Sequence, residues 1–378
     1  MVKIVVDPQI FNIQKYGGIS RYYKEVFTHL KRRNDMDIIL PLFNSDNVYL
    51  ANSDLLISEK KTMAFLIKAL NVLGISTRTL NKKLMDEQIK ITFDQGNFDL
   101  FIPTYYDSYF LKFIGNKPFV LTVYDMIHEL FPQYFLDDVS KVSVNKKILL
   151  EKATKIIAVS NNTKKDILNV YPHIDESKIE VIYHGSSICV NNNVVVDLPE
   201  NYILFVGVRD YYKNFIFLVE AIHELLMFDS SLKLICAGGG DFKDEEIKFL
   251  KTMNLQEKVL QRDFDEKQLG MFYKNAKCFI FPSMYEGFGI PVLESMACGC
   301  PIVLSNSSSF PEVAGDAGIY FDVTSKEDLV SKVRLVLNDD DFRNEYVLRG
   351  LNQAKRFTWD IAASQCAELY KKAIYNFY

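Results

Sequence analysis

Two glutamates, Glu286 and Glu294, lie eight residues apart in the segment SMYEGFGIPVLESMACG at residues 283–299. A Gly-Phe-Gly turn separates them, and Pro291 then suits the first turn of a helix, where a backbone N–H is not needed. The first amides of a helix have no partner inside it, so they can bind an anion or a hydroxyl-rich ligand. Because a carboxylate beside a phosphate is electrostatically unfavourable, we expect Glu294 to accept hydrogen bonds from sugar hydroxyls.

Two basic residues, Arg209 and Lys213, follow the apolar segment YILFV at residues 202–206, which is typical of a buried strand. Two cations at the carboxyl end of such a strand could bind a diphosphate and stabilise the charge that grows as it departs. The alternative is that both are solvated surface cations, and the residues alone leave this open.

Three further segments follow predicted strands. Gly17 and Gly18 precede the first long helix, where they could let the backbone approach a ligand closely or form an ordinary turn. Asp125 and His128 come after the segment PFVLTV and could orient a hydroxyl or transfer a proton, or be a structural aspartate and a surface histidine. The segment SNSSSFPEV, residues 305–313, could line a ligand or only cap the segment that follows.

Two other patterns argue against cofactor binding. The Gly-rich turn at 237–240 lacks the spacing and the later acidic residue of a dinucleotide-binding motif, so it predicts a tight turn. Asp-x-Asp pairs at 35/37, 263/265 and 339/341 have no convincing strand-end context, and chance matches are expected among 48 acidic residues. We therefore predict no metal site.

Short apolar segments alternate with helical patterns along the chain, which favours parallel sheets in βαβ order. The predicted fold class is α/β, with two Rossmann-like, doubly wound domains that face each other across a cleft and bind ligands beyond the carboxyl ends of their strands. Strands are predicted at 2–6, 37–42, 99–102, 118–123, 155–159, 179–182, 202–206, 231–237, 257–260, 277–281, 301–304 and 318–321. Helices are predicted at 18–33, 139–152, 161–169, 213–228, 265–275, 325–338 and 341–354.

A domain boundary is predicted in the Asn-rich segment VNNNVVVDLPE, residues 190–200, because it has little periodicity. The 378 residues are enough for two domains. The predicted N-terminal domain covers residues 1–190, and the predicted C-terminal domain covers residues 200–356.

Composition narrows the class of protein. The net charge is −4, but residues 1–190 carry +3 and the remainder −7, so either an anionic partner binds the N-terminal half or this charge is only a solvated surface. We predict no nucleic-acid partner. Apolar runs of about six residues are far below the ~20 needed to cross a bilayer, and MVKIVVDPQIF predicts a first strand, not a signal peptide. Six cysteines without CxxC spacing predict reduced core residues of a cytoplasmic protein.

Residues 60–84 form a basic amphipathic segment, KKTMAFLIKALNVLGISTRTLNKKL. Its apolar residues fall on one helical face and lysines surround them, so it could make a peripheral contact with an anionic membrane surface. An ordinary helix that packs on the sheet has the same pattern, and both interpretations stay open.

Taken together, these segments resemble family 4 of the retaining glycosyltransferases, which have the GT-B fold. The segment YEGFGIPVLESMACGCPIV resembles the most diagnostic part of that family, and LFVGVRDYYKNF resembles its Gly-Arg-to-Lys-Asn motif. IIAVSNNTKKDIL, VIYHGSS, SSFPEVAGDAGIYFD and a late FTW follow in family order. The opening, DPQIFNIQKYGGISRYY, resembles a bacterial subset that builds surface polysaccharides such as the O-antigen of lipopolysaccharide.

The resemblance implies transfer of a hexose-type sugar, with retention, from a nucleotide-diphosphate sugar to a glycan hydroxyl, without a metal or other cofactor. Glu294 would hold the ribose hydroxyls, and Glu286 would bind the transferred sugar. Arg209 and Lys213 would neutralise the diphosphate. The implied catalytic set is these two cations with Glu286 and Asp125.

The resemblance also assigns residues around this set. The donor site would include the following residues of two glycine-rich turns: Gly17, Gly18, Gly287, Phe288, Gly289 and Ile290. Asp125 and His128 would lie on the acceptor side, and this chain has Tyr124-Asp125 where many members carry His-Asp. A last helix within residues 357–378 would cross back to the N-terminal domain.

The implied acceptor is an oligosaccharide or a glycan linked to polyprenyl diphosphate, and the implied location is the cytoplasm, at the inner face of the cytoplasmic membrane. Two alternatives remain. The chain could be a nucleotide-sugar epimerase or a phosphorylase on the same fold, or it could be a non-catalytic glycan-binding subunit. The presence of both glutamates with both cations argues against a decayed, non-catalytic site.

Overall fold

The computed structural model describes residues 1–42, 45–50, 53–56, 78–135, 139–209, 211–375 and 377. The chain forms two compact units: the first consists of Met1–His184 with Trp359–Tyr378, and the second of Gly185–Thr358. Residues 185–190 therefore group with the second unit, before the segment 190–200 in which the boundary was predicted. In the second unit the Cys189 carbonyl packs against Gly270, where any side chain would collide with it.

The described part of the first unit contains six parallel strands in two three-stranded groups. The strands are β1 (Val2–Val6), β2 (Met36–Ile39), β3 (Leu100–Ile102), β4 (Val120–Val123), β5 (Lys155–Ala158) and β6 (Ile179–Val181). Their orders are β2-β1-β3 and β4-β5-β6, and a parallel bridge between Phe101 and Phe119 links the two groups. Strands β3 and β4 are buried throughout, which explains their continuous apolar sequence.

Helices of the first unit connect these strands in βαβ order. They are α1 (Gln9–Ile13), α2 (Gly18–Lys31), α3 (Arg78–Gln95), α4 (Ile127–Leu130), α5 (Val139–Lys152), α6 (Asn161–Val170) and the C-terminal helix (Trp359–Tyr375). Helix α6 begins where the Ser160 hydroxyl accepts a hydrogen bond from the Thr163 amide at 2.9 Å. Most of the basic segment predicted at 60–84 lies in residues 57–77, outside the described residues.

An aromatic cluster in the first unit contains His184, the last residue before the second unit, and Trp359, the first residue after it. The ring of Tyr22 lies 4.8 Å from that of His184 and 6.0 Å from that of Trp359, and the latter two rings are 6.0 Å apart. Burial lowers the pKa of His184 to about 3. Cys366 Sγ lies 3.7 Å from the Tyr22 hydroxyl, so the C-terminal helix packs on α2.

The second unit is built on a six-stranded parallel sheet. The strands are β7 (Tyr202–Val206), β8 (Lys233–Ala237), β9 (Val259–Arg262), β10 (Cys278–Phe281), β11 (Ile302–Ser305) and β12 (Gly318–Phe321). Their spatial order is β12-β11-β10-β7-β8-β9, so the direction of winding reverses between β7 and β10. Every strand predicted from the sequence is present in the two units, with small differences at the ends.

Helices cover the sheet of the second unit. They are α7 (Phe215–Phe228), α8 (Asp244–Thr252), α9 (Leu269–Asn275), α10 (Ile290–Ala297), α11 (Phe310–Ala314), α12 (Lys326–Asn338) and α13 (Asp340–Ala354). The core between α7, α12 and the sheet includes Phe205, Leu218, Ile222 and Val333, all fully buried. Each buried side chain of this size contributes about 1.5–3 kcal/mol to folding, so the apolar faces fix the helices on the sheet.

Five of the six cysteines are buried, as predicted for core residues, and burial raises the pKa of Cys278 and Cys298 to about 12. The prediction was wrong for Cys189, which is exposed in the segment between β6 and β7. None of the described helices has the length and apolarity required to span a bilayer. Within the same described ranges, no three His, Cys, Asp or Glu side chains converge as metal ligands.

Candidate active site

The loops that follow β7 and β10 meet at the point where the sheet of the second unit changes its direction of winding. Ligands of doubly wound sheets bind beyond the carboxyl ends of the strands at such a point. The Met284 amide donates a hydrogen bond to the Tyr212 carbonyl at 2.8 Å, which joins the two loops. The motifs that contain Arg209 with Lys213 and Glu286 with Glu294 follow these two strands.

Lys213 and Glu286 form an ion pair at this position. Lys213 Nζ lies 2.5 Å from Glu286 Oε1, and the two side chains are 15% and 14% exposed. The ammonium group also lies 5.0 Å from the ring centre of Tyr212 and 5.4 Å from that of Phe281. The carboxylate and the two ring faces all favour a cation here, so Lys213 is held in place rather than freely solvated.

Arg209 is held by a different set of groups in the same unit. Its Nε donates to Glu246 Oε1 at 2.9 Å, and its side chain is only 2% exposed. The other guanidinium nitrogens donate to the carbonyls of Gly238 at 3.2 Å, Gly240 at 3.0 Å and Asp241 at 2.8 Å. Direct contact between Arg209 and a diphosphate would require some of these bonds to be exchanged, and that contact stays a prediction.

The glycines of the turn after β8 allow its backbone to lie against Arg209. Gly238, Gly239 and Gly240 have φ angles of 72°, 76° and 73°, a left-handed run that other residues rarely adopt. A Cβ atom on Gly239 would also lie 3.0 Å from Arg209 Nη1. The tight turn predicted from the sequence therefore provides backbone carbonyls that bind the guanidinium group of Arg209.

Glu246 was missed by the sequence analysis. Its Oε2 accepts a hydrogen bond from the Lys243 amide at 2.7 Å at the start of α8, while its Oε1 binds Arg209. Its position three residues into a helix that begins with acidic residues is a signal for this capping role. The carboxylate thus joins Arg209 to the first turn of α8.

Glu294 lies inside the first turns of α10 and is 4% exposed. The Tyr273 hydroxyl donates to its Oε2 at 3.2 Å. Burial, followed by the negative charge of Glu294, raises the pKa of Tyr273 well above its usual range, so Tyr273 remains a donor. Gly289 precedes the helix with a φ of 85°, and Pro291 occupies the first turn as predicted.

In the first unit, Gly17 adopts an extended conformation before α2, with a φ of 164°. Its lack of a side chain makes room for Gln14, whose amide would lie about 2.5 Å from a Cβ at this position. Gln14 Oε1 accepts a hydrogen bond from the Ser20 amide at 3.1 Å, so a side chain of the protein already binds one early amide of α2. The ligand contacts predicted for Gly17 and Gly18 stay predictions.

Asp125 lies in the turn after β4, and His128 lies in the short helix α4 that follows. Asp125 Oδ1 accepts from the Ile127 amide at 3.1 Å, and the His128 ring lies 4.4 Å from the Phe135 ring. Beneath them the fully buried Lys146 binds the Asp125 carbonyl at 3.1 Å. Lys146 also pairs with Glu129 at 2.8 Å.

Lys146 and Asp7 were also missed, although both have a sequence signal. Lys146 lies between Val142 and Leu149 on the apolar face of α5, which is an unusual place for a lysine. Asp7 directly follows β1, is fully buried, and accepts from the Tyr109 hydroxyl at 2.9 Å. Burial raises the pKa of Asp7 to about 7.

Comparisons with known proteins agree with this geometry. Residues 192–353 match the family model of group 1 glycosyl transferases, and residues 16–187 match that of glycosyltransferase family 4. The chain is 30% identical over 268 residues to O-antigen chain mannosyltransferase B of Escherichia coli, a match that covers 67% of this chain and 70% of that protein. The chain belongs to the family 4 glycosyltransferases.

Another relative of this glycosyltransferase comes from Campylobacter jejuni. It is the N-acetylgalactosamine-N,N'-diacetylbacillosaminyl-diphospho-undecaprenol 4-alpha-N-acetylgalactosaminyltransferase, 32% identical over 226 residues, with 57% of this chain and 60% of that protein covered. Among solved structures, sucrose-phosphate synthase from Thermosynechococcus elongatus superimposes with a TM-score of 0.71 at 18% identity, over 98% of this chain and 99% of that one. The predicted GT-B fold, with two Rossmann-like domains, is confirmed.

Proposed function

We propose that this glycosyltransferase moves a hexose-type sugar, with retention, from a nucleotide-diphosphate sugar to a glycan hydroxyl during assembly of a surface polysaccharide. The observation that carries the proposal is the Lys213–Glu286 pair, 2.5 Å apart at the switch point of the second unit. A cation and a carboxylate together provide one group for a diphosphate and one for sugar hydroxyls. The relationship to an O-antigen chain mannosyltransferase supports the polysaccharide assignment.

In this mechanism the donor replaces the internal pair with two interactions of its own. Lys213 binds the diphosphate and stabilises the charge that develops as the bond to the sugar breaks. Glu286, released from Lys213, accepts hydrogen bonds from hydroxyls of the transferred sugar. Glu294, oriented by Tyr273, binds the ribose hydroxyls. The backbone amides of Phe288, Gly289 and Ile290 add donors for the sugar and the phosphate oxygens.

We propose a transfer step on one face of the sugar, as the family resemblance implies for retention without an evident nucleophile. The bond from the sugar C1 to the diphosphate oxygen breaks, and the acceptor oxygen bonds to C1 on the same face. The acceptor proton passes to an oxygen of the departing diphosphate. We propose that the protein cations suffice for this step, so that excess EDTA leaves the rate unchanged. Restoration of a lost rate by added Mg²⁺ or Mn²⁺ would contradict this part.

We propose a lipid-linked glycan as the acceptor. The Campylobacter relative is named for an acceptor that carries diphospho-undecaprenol, and the basic segment at 60–84 could contact the membrane that holds such a lipid. Asp125 and His128 of the first unit are the proposed acceptor-side residues, and the proposed location is the cytoplasmic side of the membrane. Flotation with vesicles containing an anionic lipid tests the membrane contact, and protein that stays at the bottom at low salt would refute it.

The donor is best identified with a thermal-shift panel of UDP, GDP, dTDP and CMP. A ligand at 100 times its dissociation constant stabilises the native state by ~2.7 kcal/mol, which is easily measured. The corresponding nucleotide sugars are then tested with a polyprenyl-diphosphate-linked acceptor, and NMR assigns the anomeric configuration of the product. An isomerised free donor or a sugar phosphate would favour an epimerase or a phosphorylase, and binding without turnover would favour a glycan-binding subunit.

A further inference from the structure

Serine hydroxyls at the end of β11 and in the loop that follows it bind the backbone of the loop after β10. Ser308 Oγ accepts a hydrogen bond from the Glu286 amide at 3.2 Å and donates one to the Glu286 carbonyl. Ser309 Oγ lies 2.9 Å from the same carbonyl and 3.0 Å from that of Phe288. Ser305 Oγ donates to the Ser283 carbonyl at 2.6 Å. The serine segment therefore binds the chain on both sides of Glu286.

Ser308 also has an unusual backbone conformation. Its φ angle is +55°, and the other described non-glycine residues with a positive φ are Asn214 and Asn254. Asparagine tolerates the left-handed region, whereas serine adopts it at a cost. Such strain persists where the surrounding structure determines the conformation, and it is common at functional sites. Here the strained residue forms hydrogen bonds with both the amide and the carbonyl of Glu286.

We propose that Ser308 and Ser309 are positioning residues of the transferase, which act on the reaction through Glu286. Neither needs to touch the substrate. By holding the Glu286 amide and carbonyl, they fix the direction of its side chain, so that the carboxylate meets Lys213 and later the sugar. This inference rests on the proposed function, because it assumes that Glu286 contacts the transferred sugar.

The Glu286 carbonyl accepts hydrogen bonds from two serine hydroxyls. Ser309 is fully buried, and both hydroxyls converge on that one oxygen. If the hydroxyl of Ser308 is removed, the peptide before Gly287 can rotate, because the glycine next to it offers little resistance. The carboxylate then moves relative to Lys213, and a displacement of about 1 Å at a reacting centre can cost on the order of 100-fold in rate.

The substitution Ser308→Gly tests this directly. Glycine accepts the left-handed φ without strain, so the variant removes the hydroxyl and leaves the backbone conformation available. We expect a thermal midpoint equal to or above that of the wild type, a kcat lower by about 10- to 100-fold, and a nearly unchanged KM for the donor. Hydrogen exchange at the amides of residues 286–288 should become faster.

Two further variants complete the design. Ser308→Asn should recover part of the lost kcat, because asparagine tolerates the left-handed φ and offers both a donor and an acceptor. Ser307→Ala is the matched control in the same loop, since its hydroxyl binds none of these backbone groups in the described structure. It should retain wild-type kcat.

The inference is overturned if Ser308→Gly keeps kcat within twofold of the wild type, or if its loss of activity merely follows a loss of thermal stability. A rise in KM with unchanged kcat would equally refute it. Failure of the proposed function would give a different result, because the wild-type protein would then transfer no sugar from any donor. In that event the exchange rates of residues 286–288 still decide whether Ser308 holds this turn.

Discussion

Lys213 Nζ lies 2.5 Å from Glu286 Oε1, so two groups that we propose bind different parts of one donor contact each other directly. The contact spans 73 positions of sequence and joins the ends of β7 and β10. The contact neutralises a partly buried cation with a partly buried carboxylate. In the proposed mechanism, donor binding exchanges this one ion pair for two new interactions.

The first prediction concerns the two members of this pair. Lys213→Ala should lose ~2–4 kcal/mol of transition-state stabilisation, or roughly 30- to 1,000-fold in kcat, because the departing diphosphate loses its cation. Glu286→Ala should also lose most of the transfer. Because the two side chains are in contact, the double variant should lose less than the sum of both losses. Initial rates of sugar transfer provide the measurement.

Lys251→Ala is the control for this series, since Lys251 is an exposed lysine on α8 of the same unit. It should transfer sugar at the wild-type rate. Circular dichroism should show that the Lys213 and Glu286 variants remain folded. Full activity in either purified single variant would disprove the assignment of this pair.

A second prediction links Tyr273 to Glu294. Tyr273→Phe removes the hydroxyl that donates to the Glu294 carboxylate at 3.2 Å. A hydrogen bond to a charged group contributes about 1.5–3 kcal/mol, so we expect nucleotide affinity to fall by roughly 10-fold or more. Glu294→Ala should abolish transfer. Calorimetric titration measures the nucleotide affinity, and initial rates measure the transfer. Tyr320→Phe, a change on β12, should bind the nucleotide like the wild type.

A third prediction distinguishes Arg209 from Lys213 by the effect of each residue on stability. Removing one member of a buried ion pair costs about 3–5 kcal/mol of folding free energy, and Arg209 pairs with Glu246 at 2.9 Å in a nearly inaccessible position. Arg209→Ala should therefore lower the free energy of unfolding as well as the transfer rate, whereas Lys213→Ala should mainly lower the rate. Urea unfolding compares them with the exposed control Arg356→Ala. Equal stability of all three variants would show that the contacts of Arg209 contribute little.

A fourth prediction concerns pH and Asp7. Burial raises its pKa from 3.8 to about 7, so between these pH values the folded state binds more protons than the unfolded state. The stability from Asp7 is complete below pH 3.8 and is lost as the pH rises through 7. Asp7→Asn should remove this loss, which amounts to at most about 1.4 kcal/mol per pH unit.

Urea unfolding of the wild type and Asp7→Asn at pH 5, 6, 7 and 8 measures the difference. The neutral amide should become relatively more stable as the pH rises toward 7. His184 contributes with the opposite sign below pH 6.5, because its pKa is lowered to about 3, but it is present in both chains and cancels. Asp46→Asn, at an exposed position, is the control, and parallel curves for the wild type and Asp7→Asn would contradict the prediction.

Much of the fold could be predicted because its signals are local. A buried parallel strand such as β7 is a continuous apolar segment, and the turn after it is marked by glycine. Pro291 is a local signal for the start of α10, because proline suits the first turn of a helix, where a backbone N–H is not needed. The proximity of Lys213 and Glu286 could be expected from two strands with similar loops, since neighbouring parallel strands place their carboxyl ends at one edge of a sheet.

Other parts of the site depend on contacts that no local pattern encodes. The sequence does not reveal that Arg209 is enclosed by three carbonyls, because their directions depend on successive left-handed glycines in a different loop. Serine is common in surface loops, so its residue type does not predict that Ser308 binds the Glu286 backbone. The burial of Asp7 likewise depends on Tyr109, which is distant in sequence.

The adjacency of His184 and Trp359 in one aromatic cluster has a consequence for biosynthesis. In sequence, the second unit is inserted into the first. The first unit therefore lacks the helix that covers α2 until residues 359–375 have left the ribosome. The second unit can fold during translation, whereas Tyr22 and its neighbours in the first unit stay uncovered until then. A nascent chain stalled before Trp359 would therefore present this surface to chaperones.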